Sequence, residues 1–557
     1  MLSFFAVSLL IGFSFFARHI AGMLYTNFQY SCLVYNPKSV RENPAANYDF
    51  MPEDVSWDET RWYGRWTTQV LRGEWSGANL ESYSAFLTSP VPPQRLWLRD
   101  RMGPLILAGM ARLPGSSLRI AFLAADLLFP IGIALSLLYF AWVLRPSVSF
   151  AVAATALIMF FNWQDSLNFL AFLRGARQNS ATFLRTPYPQ LSMIVFTLFL
   201  LSLVRLVRRG NLTDGLWFAL LLTLNILTYF YSWTYALLFV GMTILLFFVT
   251  YFFPNLQVDI PETNHRRYTL LALTGGTAAA FLTTSPVWAG IVIKNPIVQD
   301  AFIRGNGTLG HRPDLKYSSV LLLLLVALLL WRRCRWQNRW LAVVYLAGSL
   351  CVMNIQLLAG KTIQPEHWAA YYIQPLFLIF ALDFCWIFIQ RNGRLLDKQL
   401  AVILLAAGVL TSVYKLSIGA QQAIDFNRRD PAFDQLLTLL HQPALQPYGF
   451  ISNDEYIDSV LPAFVIEKPL RPLYHDPLTD AELASLKAAS ERALEARSPD
   501  GATLQRPSSP IITSQELAFK TDRILFVLNR HRFFSDSLLK GRQVLLQNED
   551  FLVITGR

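Results

Sequence analysis

The chain has 557 residues, of which 54% are hydrophobic and only 15% are charged. A typical soluble domain is about 25% charged, so the composition excludes an ordinary soluble protein. The formal net charge of +11 would suggest nucleic acid in a soluble chain. The sequence has no RNA-binding motif, however, and Lys and Arg also collect on the cytoplasmic loops of membrane proteins. We therefore predict an integral membrane protein that binds no nucleic acid.

Eleven apolar segments approach or exceed the roughly 20 residues that cross a bilayer. The first has neither the basic start nor the small-residue cleavage site of a signal peptide, so we predict a retained span. In chain order the segments cover approximately 2–24, 119–144, 148–163, 189–207, 213–230, 234–253, 269–290, 317–331, 340–358, 368–389 and 400–419.

Basic residues occupy alternate loops between these segments. If eleven spans are counted, all of these loops fall on one side, which the positive-inside rule assigns to the cytoplasm. The count predicts a cytoplasmic N-terminus. It places residues 25–118, the loops near 164–188, 291–316 and 359–367, and the tail from about 420 outside. The basic residues are Arg145, Arg205, Arg208, Arg209, Arg266, Arg267, Arg332, Arg333, Arg335, Arg339, Arg391, Arg394 and Lys398.

The tail mixes helical and strand patterns. Residues 434–440 and 481–497 have helical patterns, and 448–451, 524–528 and 551–554 have the pattern of buried strands. We predict an α-helical polytopic fold of about eleven spans for residues 1–420, including the first outside loop 25–118. Residues 421–557 are predicted to form a small extracytoplasmic α/β domain.

The segment 57–75 reads WDETRWYGRWTTQVLRGEW and carries the adjacent carboxylates Asp58 and Glu59 at the start of an amphipathic helix. Acidic side chains are stabilised at a helix N-terminus, so capping explains them without any chemistry. A carboxylate at this surface would also serve as a general base. From the residues alone, helix capping and general-base catalysis are equally well supported.

The pattern D-E-T-R-aromatic, followed by a short helix and G-E-W, resembles the first-loop signature of the C-type (GT-C) superfamily of multi-spanning glycosyltransferases. It is most similar to the branch that contains aminoarabinose-to-lipid-A transferases and protein O-mannosyltransferases. Asp58, Glu59, Arg61 and 73–75 fall on the motif, and the residue-level resemblance covers about 57–125. The rest of the chain agrees with the family in layout.

The resemblance implies transfer of a sugar from a polyprenyl-phosphate-linked donor to a lipid, glycan or protein acceptor, at the extracytoplasmic face of a bacterial inner membrane. A single displacement would invert the anomeric centre, with Asp58 as general base and Glu59 second or structural. The leaving group is already a phosphate, so cations should stabilise it. We predict no cofactor and no metal site, because the D-E pair offers too few oxygen ligands.

The candidate phosphate-binding residues are basic side chains on the predicted outside loops, where they run against the positive-inside bias. Interfacial Lys and Arg also snorkel or pair with membrane lipids, so each residue alone has an ordinary explanation. Convergence of several loops favours a binding site. The candidates are Arg101, Arg304, His311, Arg312, Lys361 and His367.

Two other functions fit parts of the sequence. A transporter or flippase of lipid-linked or envelope precursors would use ionisable residues within spans, such as Asp126 and Asp383. A non-catalytic assembly subunit would bind a partner through the tail. The aromatic run YFYSWTY at 229–235 indicates a tight turn and an interfacial belt, or else the lining of a lipid groove.

Overall fold

The computed structural model describes most of the apolar segments and part of the tail. The described residues are 3–14, 63, 67, 70–71, 102–116, 118–160, 188–253, 266–285, 307–309, 311–313, 315–331, 336–359, 361–363, 365–391, 396–410, 431–440, 442, 449–452, 468–469, 524–530, 539 and 541–555. Within them the chain is mainly helical.

The helices follow the apolar segments of the sequence. They are α1 Ser3–Ser14, α2 Met102–Ala111, α3 Leu118–Leu144, α4 Val148–Phe160, α5 Gln190–Arg209, α6 Leu212–Thr228, α7 Phe230–Phe252, α8 Arg266–Thr283, α9 Leu315–Leu330, α10 Arg339–Met353, α11 Gln356–Ala359, α12 Pro365–Trp368, α13 Gln374–Arg391, α14 at 396–410 and α15 Pro431–Leu440. A π-helical turn, Ala369–Ile373, joins α12 to α13.

Four helices in the described ranges are long and apolar enough to cross a membrane. They cover Ile120–Leu144, Gln190–Arg209, Phe230–Phe252 and Ala369–Gln390. Other apolar helices are shorter, among them α1, α4, α6 and α10. The chain is therefore a helical membrane protein. A described helix overlaps each of the eleven predicted segments, and the number that crosses the bilayer stays a prediction.

Helix α5 lies at the centre of the bundle, packed against α3, α6 and α7. Gly210 ends it in the left-handed conformation (φ 58°), with its N–H bonded to the Leu206 carbonyl, a frequent helix stop. Asn211 then begins α6, because its side chain accepts a hydrogen bond from the Asp214 N–H. The Gly-Asn pair thus reverses the chain within two residues.

One end of the bundle is joined by a polar network around the fully buried Asp383. Its carboxylate lies 2.7 Å from Nε of Arg145 and accepts 2.7 Å hydrogen bonds from Trp336 Nε1 and Asn338 Nδ2. Arg208 donates to Asn338 Oδ1 at 2.8 Å. These bonds offset the cost of burying a charge. We call this cluster the arginine end.

Helices α1 and α3 approach each other closely at Gly12. A Cβ at this position would lie 2.2 Å from Cγ1 of Ile131, well inside van der Waals contact. Only glycine therefore lets the two backbones meet here without displacing a side chain.

Two small sheets complete the described structure. Strands β1 (Gly307–Leu309) and β2 (Lys361–Ile363) pair antiparallel. In the tail the order is β4-β3-β5-β7-β6, with β3 parallel to β4 and β5, and β7 antiparallel to β5 and β6. Their bounds are β3 Gly449–Ser452, β4 Lys468–Pro469, β5 Ile524–Asn529, β6 Val544–Gln547 and β7 Phe551–Thr555.

Helix α15 packs against β6 and β7 of the tail sheet, and the Asn548 side-chain amide donates to the Ala432 carbonyl of that helix at 2.9 Å. The predicted strands at 448–451, 524–528 and 551–554 correspond to β3, β5 and β7. The predicted helix 481–497 lies outside the described residues. A separate extracytoplasmic domain over 421–557 stays a prediction.

Candidate functional site

Aromatic side chains surround His367 at one end of the bundle. Nδ1 of His367 lies 3.2 Å from the Tyr229 hydroxyl. The imidazole centroid lies 4.6 Å from the Tyr231 ring and 5.4 Å from the Tyr371 ring. We call His367, Tyr229, Tyr231 and the adjoining Tyr188 the histidine end.

The histidine end and the arginine end lie at opposite ends of α5. Tyr188 immediately precedes this helix, and Arg208 belongs to its last turn. A helix of 20 residues is about 30 Å long, close to the thickness of the hydrocarbon core. Residues predicted outside and residues predicted in the cytoplasm therefore lie a membrane thickness apart. Which end faces the cytoplasm stays a prediction.

The turn that carries Tyr229 is a single residue. Tyr229 is extended (φ −151°, ψ 133°) and forms both the C-cap of α6 and the N-cap of α7. On the buried side of the turn, the Ser232 hydroxyl donates to Asn225 Oδ1, and Asn225 Nδ2 donates to the Val195 carbonyl of α5. This packing holds the turn against α5. The tight turn itself agrees with the prediction from the sequence.

The expected interfacial belt does not hold for the whole aromatic run that follows. Tyr231 and Tyr235 are only 2% and 0% exposed, because their rings pack inside the bundle against Trp368 and Phe196. Tyr231 and Tyr235 therefore line the interior of the bundle, whereas Phe230 and Trp233 of the same run are half-buried.

A series of ring contacts leads from the first loop to His367. The Tyr63 ring meets the Tyr188 ring edge-on at 5.4 Å, and Tyr188 stacks on Tyr229 at 5.1 Å and 8°. The Tyr188 hydroxyl also accepts a hydrogen bond from the Gly103 N–H at 2.8 Å. Residues far apart in sequence thus meet at one tyrosine.

Arg112 attaches the same first-loop segment to the region after α2. Its Nη2 lies 3.0 Å from the Leu71 carbonyl and 3.4 Å from the Val70 carbonyl. Residues 67, 70 and 71 are helical, so the guanidinium binds backbone carbonyls of a helical segment. The segment is therefore fixed at Tyr63 and again at Leu71.

The two predicted cationic loops are joined by backbone pairing. In the β1–β2 ladder Leu309 lies opposite Lys361, and Gly307 lies opposite Ile363. Nδ1 of His311 lies 2.8 Å from the Leu357 carbonyl, and Gln356 Nε2 donates to the Arg312 carbonyl at 3.1 Å. The described parts of the loops near 291–316 and 359–367 consequently form one unit, with exposed His311 and Arg312 beside it.

The sequence matches no protein-family model and no curated protein. Among solved structures, the chain is similar to the crystal structure of ArnT from Cupriavidus metallidurans bound to undecaprenyl phosphate. The two share 12% identity over 90% of this chain and 93% of that chain, with a TM-score of 0.43.

Several predicted site residues lie outside the described residues, namely Asp58, Glu59, Arg101 and Arg304. The backbone of Lys361 is described in β2, and the side chains of His311, Arg312 and His367 are described as well. Sequence reasoning did not name Tyr63, Tyr188 or Tyr229 individually. Tyr63 lies inside the 57–75 motif, and Tyr229 opens the aromatic run that drew attention to the turn.

Asp383, one of the carboxylates behind the transporter hypothesis, is engaged in helix packing. Besides its carboxylate bonds, its carbonyl accepts a 3.1 Å hydrogen bond from Arg145 Nη2, and Arg145 Nη1 also donates to Gln390. Such a network accounts for a buried carboxylate without any transported substrate.

Proposed function

We propose that the chain is a membrane glycosyltransferase that moves a sugar from a polyprenyl-phosphate-linked donor to a lipid, glycan or protein acceptor. The observation that carries the proposal is the series of ring contacts from Tyr63 through Tyr188 and Tyr229, ending in the hydrogen bond to His367. It supports the proposal because it docks the segment bearing the D-E motif beside a basic side chain from another loop.

Covalent geometry keeps the proposed base close to this cluster. Asp58 precedes Tyr63 by five residues, and five residues span at most about 18 Å when fully extended. His367 follows Ile363, the end of the strand that pairs with β1, by four positions. These short distances along the chain support a common location for the acid motif, His367 and the two-loop unit at one end of the bundle.

In the proposed reaction, the acceptor hydroxyl loses its proton to the Asp58 carboxylate as its oxygen attacks the anomeric carbon. The bond from that carbon to the phosphate oxygen breaks, and the phosphate keeps the electron pair. A single displacement of this kind inverts the anomeric centre. Glu59 would serve as the second carboxylate of the motif or as a structural group at the start of the predicted helix.

The departing phosphate gains charge, which the basic groups would stabilise. His367, held by Tyr229, leads this set. Arg304 and Lys361 follow, with Arg101, His311 and Arg312 as further members. The cations come from separate loops, so they would surround a phosphate rather than contact it from one side. No cofactor is required for this displacement.

The proposal includes a location. The motif, the two-loop unit and the tail 421–557 would lie on the periplasmic side of a bacterial inner membrane, with the N-terminus and the arginine end in the cytoplasm. This assignment follows the positive-inside bias of the basic loops.

The decisive experiment is Asp58→Asn in the full chain, reconstituted with lipid extract whose polyprenyl-linked sugars carry a radiolabel. Transfer should fall about 10²- to 10⁴-fold, the usual contribution of a general base, while binding of undecaprenyl phosphate stays unchanged. Asp54→Asn, an acid just before the motif, is the matched control and should retain transfer.

Each competing function predicts a different result. Undiminished transfer by Asp58→Asn would remove Asp58 from the mechanism. Uptake of a lipid-linked precursor into vesicles, unaffected by this substitution, would favour a transporter. A stable co-purifying partner, together with no binding of undecaprenyl phosphate, would favour the assembly subunit.

A further inference from the structure

The residues directly after His367 form an unusual piece of helix. In the π-helical turn Ala369–Ile373, the Gln374 N–H bonds to the Ala369 carbonyl five residues earlier. Such turns insert one extra residue into an α-helix and are frequent at functional sites. One residue corresponds to a rotation of about 100°, so this turn sets the direction of His367 relative to α13.

Side chains from three separate helices bind the segment 368–373. Trp368 Nε1 donates to Thr234 Oγ1 of α7 at 3.1 Å. The Tyr372 hydroxyl donates to Ser192 Oγ of α5 at 2.8 Å. The Ile373 carbonyl accepts a 2.9 Å hydrogen bond from the Tyr345 hydroxyl of α10.

These hydrogen bonds lie in the protein interior, where few other hydrogen-bond partners are within reach. Tyr345 and Tyr372 are both 0% exposed, and an unsatisfied polar group in an apolar interior costs several kcal/mol. A π-helical turn disturbs the regular backbone ladder, so an external hydroxyl on the Ile373 carbonyl stabilises this turn against a regular α-helix. A regular helix would rotate His367 away from its present neighbours.

We propose that the π-helical turn positions His367, and that the Tyr345 and Tyr372 hydroxyls are the groups that hold the turn. Both act through the backbone and touch no substrate. The inference deepens the proposed function, because the group it positions is the leading phosphate-binding residue. The claim that the two hydroxyls hold the turn, and that the turn orients His367, does not depend on which ligand the protein binds.

The first test uses the full chain in nanodiscs with ¹⁵N-labelled histidine. The His367 signals are identified by their loss in His367→Gln. Tyr345→Phe should shift these signals at fixed pH, because the imidazole turns relative to Tyr229. Unchanged His367 signals would overturn the inference, whatever the protein binds.

Thr243→Val is the matched control. Thr243 is also buried, and its hydroxyl donates to the Phe239 carbonyl within α7 at 2.7 Å. This substitution removes a buried hydroxyl that does not bind the segment 368–373. It should leave the His367 signals in place, and an equal shift would indicate a general packing effect and overturn the inference. If Tyr345→Phe does not fold, Tyr372→Phe takes its place.

The second test measures undecaprenyl phosphate binding in a double-mutant cycle. Tyr345→Phe should weaken binding about 2- to 12-fold, the range for one hydrogen bond. In a His367→Gln background it should have no further effect, because its influence passes through His367. If the losses of binding free energy caused by Tyr345→Phe and His367→Gln are additive, Tyr345 does not act through His367. If the wild-type chain does not bind this lipid, the proposed donor class fails, and the ¹⁵N test alone decides the inference.

Discussion

The hydroxyl of Tyr229 lies 3.2 Å from Nδ1 of His367, although 138 residues separate the two in sequence. Tyr229 is the whole connection between α6 and α7, so its ring is placed by two helices at once. The hydrogen bond fixes the imidazole orientation, and the tautomer decides which atom donates.

The first prediction concerns this hydrogen bond. Tyr229→Phe keeps the ring stacked on Tyr188 but removes the hydroxyl, so undecaprenyl phosphate binding should weaken about 2- to 12-fold. His367→Gln should weaken it more, because the basic imidazole itself is lost. Tyr251→Phe, at a position 71% exposed, is the control. If Tyr229→Phe binds undecaprenyl phosphate as tightly as the wild-type chain does, Tyr229 does not contribute to the binding site.

The second prediction concerns Arg112. Arg112→Ala removes the donor to the Val70 and Leu71 carbonyls, so the first-loop segment should detach more often. Trypsin should then cleave faster within 57–75, and labelled-sugar transfer should fall in parallel. Arg209→Ala at the exposed end of α5 should change neither rate. Unaltered cleavage in Arg112→Ala would show that Arg112 does not hold the segment.

The third prediction concerns the arginine end. Asp383→Asn leaves Arg145 without its ion-pair partner, and breaking a buried pair costs about 3–5 kcal/mol. Thermal unfolding in detergent should register the loss. Arg267→Gln changes an exposed side chain in the first turn of α8, so it should cost about 0.5 kcal/mol or less. Equal losses in the two variants would contradict a packing role specific to Asp383.

The fourth prediction concerns the contact between α1 and α3. Gly12→Ala forces a methyl group against Ile131, and overpacking of this kind costs about 1–3 kcal/mol. Gly241→Ala in α7 adds a methyl group with no atom within 4 Å, so it should be neutral or slightly stabilising. If both variants unfold at the wild-type temperature, α1 and α3 do not meet as described.

The fifth prediction concerns orientation. In a cysteine-free chain, His311→Cys should react with a membrane-impermeant maleimide added to intact spheroplasts. Thr213→Cys, exposed in the first turn of α6, should react only after permeabilisation. The reverse pattern would invert the topology and place the proposed site in the cytoplasm.

Local sequence signals explain most of the helix boundaries. The apolar run from 119 to 144 ends at Arg145-Pro146, and α3 ends at Leu144. The Gly210-Asn211 pair separates α5 from α6 as its stop and cap chemistry predicts. These features depend on neighbours along the chain, so the sequence alone is sufficient to find them.

Contacts between residues that are far apart in the sequence cannot be found from such local signals. Nothing in the local pattern pairs Tyr63 with Tyr188, or Arg145 with Asp383, because hydropathy does not specify which helices become neighbours. The sequence therefore offered Asp383 as a possible transport residue, whereas the structure engages it with Arg145, Trp336 and Asn338. The π-helical turn is likewise set by hydroxyls from other helices.

Tyr188 has a consequence for biogenesis. Its hydroxyl binds the Gly103 N–H, which is made 85 residues earlier, and its ring contacts both Tyr63 and Tyr229. At a synthesis rate of about 5–20 residues per second, those 85 residues take roughly 4–17 s. The contacts that Gly103 and Tyr63 make with Tyr188 therefore cannot form until several seconds after the first-loop segment has been synthesised.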